Sequence, residues 1–409
     1  MKVLLVGSGG VGGAIAAIAS HRTFVELLVI ADVDLDRAVA VAASVSDRSL
    51  RCEAARVDAS SAEAISELAR RYRVDAIVNA CDPRFNPPIF EAAAAVGATY
   101  LDMAMNLSQP HPTKPYELLG RTLGVDQDAQ HQAWVDRGQL ALVGMGVEPG
   151  LSDVFARYAR DYLFSRIDEI GVRDGGNLVI DGYDFAPTFS IWTTIEECLN
   201  PPIIYERERG WFTTAPFSEP EVFDFPGGIG KIECVNVEHE EVLLIPRVID
   251  VGRVTFKYGL GEDFIDMLQM IRKLGLDTTK KLRVGDVLVS PRDVLAASLP
   301  DPAKLGDRMH GSTCAGTWVR GLDLGGAPRE VYLHHIVDNA DSMRAYGCQA
   351  VVWQTAINPV IALELLATGV WFGAGVLGPE AFDSVPFLDL LAEYGSPHQL
   401  QERTISPAP

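Results

Sequence analysis

Residues 1–34 read MKVLLVGSGGVGGAIAAIASHRTFVELLVIADVD, and this stretch decides the fold. Val3 to Val6 is an unbroken apolar run, as expected of a strand buried on both faces. Gly7, Gly9 and Gly12 follow as G-x-G-x-x-G, with Gly10 and Gly13 as further small residues. A helical segment from Ala14 to Ala19 leads to a second apolar strand, Leu27 to Ile30, which ends at Asp32. Each part has a task in holding a dinucleotide. Gly7 permits the tight turn, Gly9 lets the backbone approach the pyrophosphate, and Gly12 allows close helix–strand packing. The pyrophosphate rests on free N–H groups at the helix start, beside Gly10 and Val11. Asp32 accepts hydrogen bonds from the adenosine ribose hydroxyls and would repel a 2′-phosphate, so NAD is expected rather than NADP. A signal peptide is the competing reading, but five glycines would break its apolar helix and the strand ending in Asp32 would have no purpose.

The net charge of −20 over 409 residues argues against nucleic acid as a partner. The length allows two or three domains with a substantial core. The six cysteines form no C-x-x-C and no dense pattern, so they read as reduced thiols of a cytoplasmic protein. The stretch from Asn358 to Pro379 comes nearest to a membrane span, but Glu364 and several glycines interrupt it, and a buried helix followed by a turn is expected. The tail from His398 to Pro409 is expected to be disordered.

Strand–helix alternation continues after Asp32. Strands are expected at Arg51 to Val57, Asp75 to Ala80, Thr99 to Met103 and Gln139 to Val143. Chemistry gathers at their carboxyl ends: Asp58 beside the adenine or as a helix cap, Asn79 and Ala80 at the ligand crevice, and Asp102. Residues 1–146 thus form a doubly wound parallel sheet of the Rossmann type. Beyond residue 147 the pattern becomes alternating, with strands expected at Glu169 to Arg173, Lys231 to Val237, Val242 to Pro246, Arg253 to Tyr258 and Val331 to Val337. Residues 147–350 read as an α+β substrate and dimerisation domain. Residues 351–409 supply apolar helices that return to the first domain. The open sheet of the second domain is expected to be covered in a homodimer.

The opening VGSGGVGG with ADVD, the GMGVEPGLSDVFA segment, RVTFKYGLG and the C-terminal TAINPVIALELLATGVWFGAGVLGPEAF together resemble the saccharopine dehydrogenase family over nearly the whole chain. The resemblance implies an inserted second domain and oxidation or reduction of a C–N bond in an amino acid or polyamine precursor. Glutamate-forming saccharopine dehydrogenases usually carry a leucine-aspartate-proline-glycine loop where this chain has Val147-Glu148-Pro149-Gly150, and ADVDLDRA is similar to lysine 6-dehydrogenase. Saccharopine cleavage ranks first, lysine deamination next, and carboxynorspermidine-type polyamine synthesis third. A non-catalytic NAD-binding sensor is the reading from another class.

The implied chemistry needs proton carriers and a grip on substrate carboxylates. The candidate carriers are Asp102, Glu148, Asp153 and His310, the last placed in a polar loop. Arg247 and Lys257, expected on successive strands, are the candidate carboxylate clamp, with Arg173 and Lys231 behind them. Thr193, Trp192 and Phe189 are candidates for the pocket wall. No metal is expected: His334 and His335 are adjacent on a strand and point to opposite faces, and no H-E-x-x-H occurs. No G-x-S-x-G elbow occurs for acyl transfer.

Overall fold

The computed structural model of the chain describes residues 1–45 and 50–404. Six strands open the chain: β1 (Lys2–Val6), β2 (Leu27–Asp32), β3 (Arg51–Arg56), β4 (Ala76–Asn79), β5 (Thr99–Leu101) and β6 (Leu140–Leu142). All pair in parallel, and a seventh strand, Gly375–Leu377, adds beyond β6. The order is Gly375–Leu377, β6, β5, β4, β1, β2, β3, so the chain reverses direction between β1 and β4. A crevice must open there at the carboxyl edge. β1, β2 and β4 are almost wholly buried, which explains their unbroken apolar runs.

Helix α1 (Gly10–Ala19) follows β1 directly. A Cβ on Gly12 would lie 2.0 Å from the Gly7 carbonyl oxygen, so helix and strand meet only because residue 12 is glycine. Gly7 has φ of +101°, a conformation that side chains disfavour.

The second sheet has nine strands and is mixed. Its spine is Phe164–Gly176, which runs parallel to Val251–Tyr258 and antiparallel to Ser312–Asp323. Ser312–Asp323 was not expected as a strand, because STCAGTWVRG reads as polar and small. Close packing imposes that composition: a Cβ on Gly316 would sit 2.7 Å from the Tyr332 ring.

Two further expectations need correction. Val242 to Pro246 is part of a helix, Glu241–Val248, rather than a strand. Val242 to Ile245 are four consecutive buried apolar residues, which carry no period to separate the two. The tail is ordered in part: Gln399–Glu402 pairs with Pro328–Asp338 as an edge strand of the second sheet, and residues 405–409 lie outside the described residues.

The chain then returns to the first sheet. Helix Ala350–Ala367 packs along α1, and Gly375–Leu377 completes the parallel sheet. This helix is long and apolar enough to cross a membrane, yet 78% of its apolar window is buried inside the protein. It is the central helix of a core.

Candidate active site

The crevice between the two sheets is a cleft of about 680 Å³. At one end lie Gly10, Val11, Asn79 and Ala80 from the dinucleotide fingerprint and the end of β4. At the other lie the loop before Ser190, the start of helix Ile191–Leu199, and helix Glu262–Lys273. A cofactor and a substrate would therefore share one continuous space.

The residues present fit a dinucleotide. Gly9 caps α1 without any side-chain hydrogen bond to the helix. No protein atom lies within 4 Å of where its Cβ would stand, so protein packing does not demand glycine there, whereas an approaching pyrophosphate would. Asp32 accepts from the Ser8 N–H at 2.8 Å, the Ser8 hydroxyl at 2.9 Å and the Asp34 N–H at 2.9 Å. Burial opposes its ionisation, but these donors win and hold the carboxyl below its usual range. Arg37 stands 4.0 Å from Asp32, while Asp34 caps its own helix through the N–H groups of Asp36 and Arg37. Asn79 shapes the end of β4, donating to Asn86 at 2.7 Å and accepting from the Cys81 N–H. Asp58 accepts from the N–H and hydroxyl of Ser60 in the turn before helix Ala62–Tyr72, but the cap of that helix is Ser61, which accepts from the Ala64 N–H.

Of the expected proton carriers, Asp102 and Glu148 line the cleft. Asp102 is fixed, its two oxygens accepting from the Gly144 N–H and the Gln127 amide, each at 2.7 Å. Burial raises its titration to about 7. Glu148 is half-buried, but both its carboxylate oxygens are shielded from solvent, and the group they meet is another acid, Asp174. Burial, and then the charge of Asp174, push it well above the ordinary carboxylate range. Asp174 titrates at about 7, raised mainly by burial, so the two carboxyls titrate as one coupled unit. Thr193 and Phe189 also line the cleft, whereas Trp192 lies behind it with its indole donating to Asp293.

Other expectations fail. His310 is outside the cleft, exposed on a short strand pair and bound to Asp181 at 2.8 Å. Asp153 caps helix Leu151–Tyr158 through the Gly150 N–H. Arg247 ends a helix and pairs with Asp128 on the surface. Lys257 and Arg173 sit on the opposite face of the second sheet, both held by Glu221. Lys231 is exposed on its edge. The cause is strand alternation: Tyr258 and Asp174, one residue further on, are the side chains that enter the cleft.

Sequence reasoning missed a buried chain of polar groups. Glu241 Oε2 lies 2.6 Å from His239 Nδ1, His239 Nε2 lies 3.1 Å from the Tyr258 hydroxyl, and that hydroxyl donates to Glu197 at 3.3 Å. The imidazole stacks on Phe256 with centroids 3.7 Å apart. Burial opposes its charge, yet Glu241 outweighs burial and lifts it to about 10. Glu197 is raised by burial to about 7, with the His239 charge pulling it back. One signal was available: Glu238-His-Glu-Glu241 sits between the apolar runs Val235 to Val237 and Val242 to Ile245, which is no place for a solvated face. His239, Glu240 and Glu241 are close enough to suggest a metal, with ligand atoms within 4.8 Å. Their atoms are instead taken by hydrogen bonds: Ser152 and His239 on Glu241, and the Met105 N–H on Glu240.

The cleft has one consistent electrical character. Asp82, Asp102, Glu148, Asp174, Asp184, Glu197, Asp263 and Asp301 line it, and among the described residues no lysine, arginine or histidine does.

Residues 3–142 match the family model of the saccharopine dehydrogenase NADP binding domain, and residues 146–396 match that of the saccharopine dehydrogenase C-terminal domain. The chain is 29% identical over 406 residues to carboxynorspermidine synthase of Vibrio cholerae, covering 97% of this chain and 95% of that protein. It is 28% identical over 400 residues to carboxyaminopropylagmatine dehydrogenase of Synechocystis, covering 97% and 96%. Among solved structures it superposes on apo saccharopine dehydrogenase (L-Glu forming) of Saccharomyces cerevisiae with a TM-score of 0.70, at 13% identity, covering 98% of this chain and 100% of that one.

Proposed function

The chain belongs to the saccharopine dehydrogenase family, and from that premise we propose that it makes or breaks the C–N bond of a carboxylated polyamine precursor, using NAD. As a member it is an NAD(P)-binding oxidoreductase that acts on C–N bonds. The bound nicotinamide supplies or accepts the hydride. The polyamine reading places carboxynorspermidine-type chemistry, ranked third from the sequence, ahead of saccharopine.

A single observation carries it: a cleft lined by eight carboxyl groups and, among the described residues, no cation. Of the eight, only Asp82 and Asp301 are ion-paired among the described residues, with Arg84 and Lys304 outside the lining. Saccharopine carries several carboxylates, and each would enter that field unpaired, at a cost of several kcal/mol in a poorly solvated site. Ammonium groups would be attracted there and would compensate the buried acids. The names of the two curated relatives point to the same kind of substrate. Glu148 and Asp174 are the assigned acceptors of the proton that an ammonium must lose before its nitrogen can attack a carbonyl carbon. Thr193, at the start of helix Ile191–Leu199, is the assigned partner of the substrate carboxylate.

NAD is assigned over NADP because Asp32 occupies the ribose position with its charge held. Arg37 at 4.0 Å offsets part of that charge and narrows the expected preference. A homodimer through the outer face of the second sheet belongs to the same proposal, and sedimentation showing only monomer at micromolar concentration would remove it.

The test is a spectrophotometric screen. Purified protein is offered NADH or NADPH with a short diamine and an amino-acid semialdehyde, and in the other direction NAD or NADP with saccharopine or lysine. Cofactor oxidation with the diamine pair is expected. Turnover of saccharopine alone would overturn the reading.

A further inference from the structure

Among the described residues, Glu197 is the cleft carboxyl joined to a continuous line, Tyr258, His239 and Glu241, that leads away from the cleft. Asp102 is immobilised by two hydrogen bonds, and Glu148 meets only its fellow cleft acid Asp174. Glu197 accepts from Tyr258, whose oxygen lies 3.1 Å from His239 Nε2, and Glu241 holds the far side of the imidazole at 2.6 Å. With the imidazole doubly protonated, its Nε2–H and the Tyr258 O–H point toward Glu197, while its Nδ1–H is donated to Glu241. His239 is stacked on Phe256 and fully buried, so the line is fixed in place.

We propose that Glu197 is the catalytic acid–base of the C–N chemistry, and that Tyr258 and His239, anchored by Glu241, form a proton wire that recharges it. The inference rests on the reading above. In the reductive direction the amine nitrogen bonds to the aldehyde carbon and gives a carbinolamine. Glu197 then protonates the carbinolamine hydroxyl, the carbon–oxygen bond breaks, and water leaves. The iminium carbon that results receives the hydride of the reduced nicotinamide cofactor. Glu197 recovers its proton from the Tyr258 hydroxyl, which takes one from His239 Nε2. After product leaves, water entering the cleft returns one proton to His239 through Tyr258, which lines the cleft, and one proton is consumed per turnover. In the oxidative direction each transfer reverses. Glu197 titrates at about 7, suited to both directions at neutral pH. Tyr258 and His239 position and deliver; of the residues in this line, only Glu197 meets the reacting atoms.

Rapid-mixing kinetics test the wire. Tyr258→Phe keeps the ring and cuts the line, so its first turnover should run near the parental rate while later turnovers slow by about tenfold or more. Glu197→Gln should lose about a hundredfold in kcat from the first turnover onward, with cofactor Kd unchanged. Equal first and later rates in Tyr258→Phe would overturn the wire, and parental kcat in Glu197→Gln would overturn the acid. A readout free of substrate is the infrared carboxylic-acid band at neutral pH, assigned by its loss in Glu197→Gln. It should shift in Tyr258→Phe, and an unshifted band overturns the wire even if a variant is inactive through misfolding. Should the parent reduce no polyamine pair, the functional reading falls and the infrared band still decides the wire.

Discussion

Arg173 and Lys257 stand side by side on the parallel strands Phe164–Gly176 and Val251–Tyr258, and one residue further along Asp174 and Tyr258 do the same. The first pair faces outward, where Glu221 binds both cations and, against the cost of burial, is itself held below its usual range by them. The second pair faces the cleft, where Asp174 meets another acid, Glu148, with the Gly175 N–H and the charge of His239 easing its ionisation. Opposite faces of one ladder thus carry charges in opposite states. The cations outside already share a partner within the protein, whereas the carboxyls inside face one another. Arginine and lysine on a strand therefore say little about carboxylate binding until their partners are known.

The sharpest way to break this contrast is at Glu148. Glu148→Gln should lower kcat/KM with a diamine by about a hundredfold or more, the range of a lost acid–base group. Its melting temperature should hold or rise, because a buried group that resists ionisation is gone. Parental activity would move the chemistry elsewhere.

On the outer face the effects should reverse. Lys257→Met should leave kcat/KM within about threefold, yet cost about 1.5–3 kcal/mol in a denaturant titration, the value of a charge-assisted hydrogen bond. A large rise in KM with intact stability would restore Lys257 as a substrate clamp.

Protonation gives a third test. Asp102, Asp174 and Glu197 titrate at about 7 in the folded chain, each raised chiefly by burial, against roughly 4 when unfolded. The folded state holds more protons between those values. Their contribution to stability is complete below about pH 4 and lost as pH rises through about 7. Without ligand, melting should occur at lower temperature near pH 8 than near pH 5.5. Spermidine should raise it more at the higher pH; an equal rise at both would deny that the cleft carboxyls bind the cation.

At the cofactor end the expected effect is smaller. Fluorescence quenching should give a preference for NAD over NADP of about three- to tenfold, with Arg37 cancelling part of the repulsion from Asp32. Asp32→Ser combined with Val33→Arg should reverse it. Equal binding by the parent would remove Asp32 from the ribose site.

Arg247→Ala should do least. Its pair with Asp128 lies on the surface, so kinetics should not change and stability should fall by under about 1 kcal/mol.

The parts legible in the sequence were those written in local contacts. A strand, a glycine turn, a helix and a terminal acid are neighbours along the chain, so residues 1–34 sufficed to read the cofactor half. Gly10, Val11, Asn79, Ala80, Asp102 and Glu148 were found because strand ends and the loop between domains are where an α/β protein puts its ligands. Lys257 was chosen although its neighbour Tyr258 is the side chain that enters the cleft, because alternation says that two residues differ in face without saying which face is which. Arg247 was misplaced because an apolar run buried on all sides has no readable period.

By itself the sequence determined the dinucleotide fold, the family likeness and the excess of negative charge, since each follows from composition or from residues close in the chain. Only the tertiary structure decided where that charge lies unpaired. Glu148, Asp174, Glu197, His239 and Tyr258 come from separate segments, and whether a buried carboxyl has a partner depends on what folding brings within about 3 Å of it. That is a property of packing, and no single stretch of sequence contains it.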